Sequence, residues 1–241
     1  MKKTTKKSPT PAVTVIIPVG GHHGICVVDA VNSCFEADPA PKEVIVVDDC
    51  CDNLAPKDIS KATLYRFKRH RGRSAARNYA ATKAQTKWLF FLDADDVLEP
   101  TAIADFHKCC RKHPDVVYAD YDFIDPSADK RVRVEQPPVP TKLRERRIYT
   151  YNPVNIGMFV KRQRYLDVGG MDEDMAIGEY RDFFLRYTAN PKVIIEKHDR
   201  PFFVAGAQTS VLKDAGPLMT MASQKIMALI RGGYYWRWID V

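Results

Sequence analysis

The chain has 241 residues, 45% of them hydrophobic, which suits one large domain with a sizeable core better than two small ones. Lys and Arg number 37 against 30 Asp and Glu, so the net charge of +7 predicts attraction to nucleotides, anionic lipids or nucleic acid without choosing among them. No run approaches the ~20 apolar residues of a membrane span, and the basic start MKKTTKKSPTP lacks the apolar core of a signal peptide, so no transmembrane segment is expected. The six cysteines include no CxxC, which argues against a zinc ribbon or a dithiol redox motif and favours reduced thiols in a cytoplasmic, or membrane-peripheral, protein.

Residues 1–11 read as a basic disordered tail. From Val13 the order is VTVIIPV, a loop with Gly20, Gly21 and Gly24, a helix through Cys34 to Ala37, and then EVIVVDD. Two short β-branched runs with a helix between them describe a βαβ unit whose parallel strands are buried on both faces. ATLYRF (Ala62 to Phe67) continues it as a third strand, GRSAARNYAATKAQ (Gly72 to Gln85) as a helix, and KWLFFLD as a fourth strand. The pattern predicts a single α/β domain, a mostly parallel mixed sheet flanked by helices. Beyond Pro100, TAIADFHKCCRKH reads as a helix and DVVYADYDFI as a strand. Residues 125–147, proline-rich and basic, read as a long exposed loop. EYRDFFLRYTAN is helical, KVIIEK (Lys192 to Lys197) a strand, and residues 214–241 an amphipathic helix with an aromatic end, YYWRW.

In open parallel sheets, ligands collect beyond the carboxyl ends of the strands, and this sequence sets acids there twice. Asp48 and Asp49 end the second strand; Asp93, Asp95 and Asp96 follow the fourth. Carboxylates so close repel one another unless a cation sits among them, and hard oxygen ligands suit Mg²⁺ or Mn²⁺. The other reading is ordinary turn and capping chemistry ahead of the helix near Pro100.

VIIPV, VDD, GRSAARN, FFLDADD and GGMDE occur in that order, and together they resemble the family 2 glycosyltransferases of the GT-A (Rossmann-like) fold, from about Val13 to Arg186. The resemblance implies a catalytic domain over 12–213, with a nucleotide-binding half (12–100) and an acceptor half (101–213). It implies inverting transfer from a nucleotide-sugar donor, such as a UDP-sugar, with Mn²⁺ or Mg²⁺ bound through the Asp-x-Asp motif. On it, Pro18 and Val19 lie beside the nucleotide, Asp48 or Asp49 meets the base, and Arg77 lies near the phosphates. Asp93 contacts ribose or metal-bound water, and Asp95 ligates the metal. Gly169, Gly170, Met171 and Asp172, followed by Glu173, match the loop that shapes the donor-sugar and acceptor side, with Met171 where the family has an aromatic residue.

Inversion needs a general base for the acceptor hydroxyl. The matching text here is EYRD, with Tyr180 where the family carries its catalytic Asp. An unperturbed phenol, with a pKa of about 10, is a poor base, so the role passes to Glu179 first and Asp182 second. The family's additional metal-binding histidine has no match in PFFVAGAQTS, and His198 before it reads as a surface or structural residue. A saccharide or lipid-linked saccharide is the favoured acceptor. A polyanion such as DNA with a hydroxylated base stays open, because the basic loop and YYWRW suit stacking on flipped bases. YYWRW also suits a membrane interface or a homo-oligomer contact. A reading of another class is a nucleotide-sugar-binding protein that has lost turnover through Tyr180.

Overall fold

The computed structural model describes residues 11–125, 130–136, 138–139, 157–175 and 178–206. The basic start, most of the 125–147 loop and the C-terminal helix with YYWRW lie outside these residues.

β1 (Val13–Gly20) is the spine of the sheet. It pairs in parallel with β2 (Glu43–Asp49) on one side and with β4 (Trp88–Phe91) on the other, and β3 (Thr63–Arg66) adds to the far edge of β2. Successive side chains of a strand face opposite ways. Val13, Val15, Ile17 and Val19 accordingly enter one core with helix α1 (Val27–Glu36), while Ile16 enters a second core with helix α2 (Arg73–Lys83). Val27, Ala30, Val31 and Cys34 are buried on α1, the i, i+3, i+4, i+7 stripe of a helix packed on a sheet.

The second half of the domain, from residue 101 on, departs from the expected layout in three places. DVVYADYDFI is not one strand: β6 (Val116–Ala119) ends at Asp120, and β7 (Tyr121–Asp125) enters a different sheet. Asp120 marks the break by pairing with Lys197 Nζ at 2.8 Å and accepting the Gln136 N–H at 2.8 Å. The stretch expected to be a loop instead opens as β8 (Lys130–Val134), antiparallel to β7. Arg131 and Arg133, two apart and so on one face, both reach Asp122 of β7. KVIIEK is displaced: Asn190 Oδ1 accepts the Lys192 N–H, and the strand runs from Ile195 to His198 as β10.

The main sheet has the order β10-β6-β9-β4-β1-β2-β3, parallel except for β9 (Phe159–Lys161), which runs antiparallel between β4 and β6. A smaller sheet joins β5 (Val97–Leu98), β11 (Phe203–Ala205), β7 and β8. Helices α3 (Ala102–Cys109), α4 (Arg162–Asp167) and α5 (Glu179–Tyr187) complete the domain. All six cysteines are free, and burial pushes the Cys34 thiol up to about 12. Among the described residues no helix is long and apolar enough to cross a membrane. The connections diverge at β1, with β2 and β3 to one side and β4 to the other, so the crevice for a ligand lies at its carboxyl end.

Candidate active site

At the end of β2 both acids are committed to the protein. Asp48 pairs with Arg66 Nε at 2.9 Å and accepts the Cys51 N–H at 2.7 Å. Asp49 accepts the N–H groups of Arg71 and Gly72, one on each oxygen and both at 2.7 Å, and His70 Nδ1 lies 2.9 Å from Oδ2. The loops that follow β1 and β2 interlock just beyond. Gly24 N–H donates to Asn53 Oδ1 at 3.0 Å, Asn53 Nδ2 to the His22 carbonyl at 3.2 Å, and Asp52 N–H to the Gly21 carbonyl at 3.0 Å. A Cβ on Gly24 would collide with the Asn53 side chain and the Leu54 backbone, so the close approach requires glycine.

Against this frame lies a cavity of about 530 Å³. One wall is Pro18, Val19, Gly20, Gly21 and Asp49, another is His70 to Ser74, and the third is Glu173 to Met175. The structure thus brings Pro18, Val19 and Asp49 together on one cavity; Asp48 does not line it and acts behind it. The stretch 69–73 places Arg71 and Arg73 on the wall.

Arg77 lies in the interior at 1% exposure. Its Nη2 donates to Asp93 Oδ1 at 2.5 Å, its Nη1 is 3.5 Å from Glu179 Oε1, and its guanidinium covers the Tyr180 ring at 4.7 Å. Burial opposes its charge, but Tyr180, Asp93 and Glu179 together hold its pKa above the ordinary value. Glu179, 3% exposed, is also held by Arg73, with Nε 2.6 Å from Oε1 and Nη2 3.2 Å from Oε2. Arg73 and Arg77 are four apart on α2 and so share a face, a spacing visible in the sequence but without a visible partner. Burial pushes the Tyr180 hydroxyl well above its ordinary range, and that hydroxyl has no hydrogen-bond partner among the described residues. Asp182 accepts from Arg186 Nε at 2.9 Å and Nη2 at 2.5 Å. Both candidate bases are therefore already engaged by arginines.

The turn after β4 differs. Burial and the charge of Asp93 raise the Asp95 carboxyl, and burial with Asp93 and Asp95 raises Asp96 well above the carboxylate range. Asp96 Oδ1 accepts the Gly206 N–H at 2.9 Å, while Oδ2 is buried without a partner among the described residues. Among the described residues no three His, Cys, Asp or Glu are grouped to hold a metal by themselves. The donor set still fits a hard cation: Mg²⁺-type ions take one or two carboxylates and fill the remaining positions from water and substrate phosphates. His198 is structural, stacked on Phe202 with its Nδ1 3.6 Å from Cys109 Sγ.

Gly169 and Gly170 adopt φ of +81° and +68°, left-handed values natural to glycine. They turn the chain so that Met171 is buried and Glu173 reaches the cavity. Asp172 stays in the turn, accepting the Asp174 N–H at 2.9 Å. Asn78 on α2 binds this loop and went unassigned in the sequence, although GRSAARN contains it.

The family model for glycosyl transferase family 2 matches residues 14–168. An uncharacterised glycosyltransferase of Haemophilus influenzae is 26% identical over 203 residues, covering 80% of this chain and 67% of that protein. The crystal structure of S. aureus TarS 1-349 superposes with a TM-score of 0.67 at 20% identity, over 80% of this chain and 60% of that one. TarS 1-349 in complex with UDP-GlcNAc gives a TM-score of 0.65 at 19% identity, over 80% of this chain and 58% of that one. The chain thus spans about three fifths of these solved structures. The fold they share with it is GT-A.

Proposed function

This chain belongs to glycosyl transferase family 2, and from that premise we propose that it moves a sugar from a UDP-sugar to a hydroxyl acceptor, with inversion and with Mn²⁺ or Mg²⁺. The carrying observation is the cavity at the switch point, which sets the β1 end opposite Arg71 and Arg73; Asp95 and Asp96, whose charge the protein leaves partly uncompensated, line a second cavity with Cys26, Asp29 and Glu36. The TarS complex with UDP-GlcNAc supports the choice of donor. Pro18 and Val19 flank the nucleotide, Asp49 holds the Arg71–Gly72 peptide against it, and Arg71 and Arg73 face the diphosphate. Asp95, with Asp93, would hold the cation, which supplies Lewis-acid compensation for charge on the leaving nucleoside diphosphate. Inversion breaks the bond between the anomeric carbon and the diphosphate as the acceptor oxygen attacks from the opposite face, and the hydroxyl proton passes to a base. Glu179 takes that role by exchanging its Arg73 contact for the acceptor; Asp182, bound to Arg186, stands second. A saccharide or lipid-linked saccharide fits as acceptor, with DNA carrying a hydroxylated base as the alternative.

The engagement of Glu179 by two arginines and the protonated Tyr180 favour one second reading, a nucleotide-sugar-binding protein with little turnover. Calorimetry with UDP and Mn²⁺, followed by transfer and donor-hydrolysis assays over a panel of nucleotide sugars, separates the two. Binding with turnover supports the enzyme, and binding without turnover for any donor supports the second reading. Absence of UDP binding overturns both.

A further inference from the structure

Asn78 has no role in the site as assigned, yet its amide is used to capacity. Oδ1 accepts from the Tyr165 hydroxyl at 2.6 Å and the Met171 N–H at 2.9 Å; Nδ2 donates to the Met171 carbonyl at 2.8 Å and to Glu173 Oε1 at 3.1 Å. Two lone pairs and two N–H groups are all that such an amide offers. Gly170 is matched to it, because a Cβ there would collide with Asn78 Oδ1. Glu173 is shared: its Oε2 accepts from Arg71 Nη2 at 3.2 Å, and the Arg71 guanidinium lies 4.9 Å from the centre of the Phe67 ring. A polar chain therefore runs from helix α2 through Glu173 to Arg71, from one wall of the nucleotide cavity to another.

We infer that Asn78 is a positioning residue for the donor, acting through Glu173 to aim Arg71 before the nucleotide arrives. The inference rests on the nucleotide-sugar reading of the cavity. The Arg71 side chain is 44% exposed, and a long exposed arginine keeps rotamer freedom that binding must otherwise remove at a cost in affinity. Glu173, itself half exposed, fixes Arg71 only if it is fixed in turn, and the Asn78 Nδ2 bond does that. A pin that merely holds the loop would need the Met171 and Tyr165 bonds alone.

The test is a double-mutant cycle on UDP affinity in the full chain, with Asn78→Ala, Glu173→Ala and the pair, read by calorimetry with Mn²⁺. Each single change is expected to weaken UDP binding about five- to tenfold, the scale of one lost ordinary hydrogen bond. The pair is expected to be no weaker than the worse single, since both interrupt one chain. Fold-losses that multiply overturn the inference and leave the nucleotide reading intact, whereas a wild-type chain that fails to bind UDP overturns both. If Asn78→Ala does not fold, Asn78→Asp takes its place: it keeps both acceptor bonds but faces the Met171 carbonyl and Glu173 with a carboxylate oxygen, so it is expected to lower the melting temperature and, well below that temperature, to weaken UDP with no further loss when paired with Glu173→Ala; losses that multiply overturn the inference.

Discussion

Two strands deliver adjacent carboxylates to the same edge of the sheet, and the protein treats them in opposite ways. Asp48 and Asp49 after β2 are saturated by Arg66, His70 and three backbone N–H groups. After β4, Asp93 has Arg77, but Asp95 and Asp96 are raised by burial first and by the charge of Asp93 next. An acid pair at a strand end is thus a structural clamp when donors surround it and, on the proposed function, a cation seat when they are withheld. The sequence VDD and DADD does not tell the two apart.

Changes at either turn break or sharpen the contrast. Asp95→Ala is expected to lower metal-dependent donor turnover by at least about a hundredfold, the upper end of what losing an outer-shell partner of a metal costs; wild-type turnover would remove the seat. Glu179→Gln withdraws a charge from the buried Arg77, the second turn's cationic partner. A loss of about 3–5 kcal/mol in denaturant unfolding follows if the pair behaves as a broken buried salt bridge, and transfer should fall together with stability. Asp49→Asn leaves one of two backbone N–H groups facing an amide donor, so about 1–3 kcal/mol of stability and part of the UDP affinity should go, without loss of metal binding.

Asp96→Asn has the smallest effect and the opposite sign. A carboxyl raised in the folded state contributes stability that is fully present below its unfolded pKa, near the ordinary 3.8, and lost as pH rises through the folded value. The metal-free wild type should therefore lose stability as pH climbs above about 4, whereas the amide variant should lose less and melt higher at neutral pH. The scale is about 2–4 °C for each kcal/mol in a domain of this size, measured in the presence of a chelator.

The nucleotide-binding half was legible because strands buried on both faces write themselves as β-branched runs, as VTVIIPV and EVIVVDD do. The acceptor half was less so. DVVYADYDFI is continuous in composition, and only Lys197 and Gln136, far along the chain, reveal that Asp120 divides it. Lys130–Val134, KRVRV, mixes basic residues with valines and becomes a strand with Asp122 opposite Arg131 and Arg133. Pro18, Val19 and Asp49, picked out by motifs, line the cavity, whereas Arg77, expected near the phosphates, is buried against Asp93 and Glu179; Asn78 and Arg73 could not be given roles, since their partners Met171, Glu173 and Glu179 lie about a hundred residues away. The arginines on Glu179 were invisible for the same reason.

The interlock of Gly21, His22 and Gly24 with Asp52 and Asn53 carries the pairing of β1 and β2 past the point where both strands stop. Loops that are each anchored only at their ends open independently; loops laced together open as one. Amide hydrogen exchange at Gly24 and Asp52 should then proceed at a common rate, and Asn53→Ala should release both together. The floor of the cavity would behave as a single cooperative unit with the sheet.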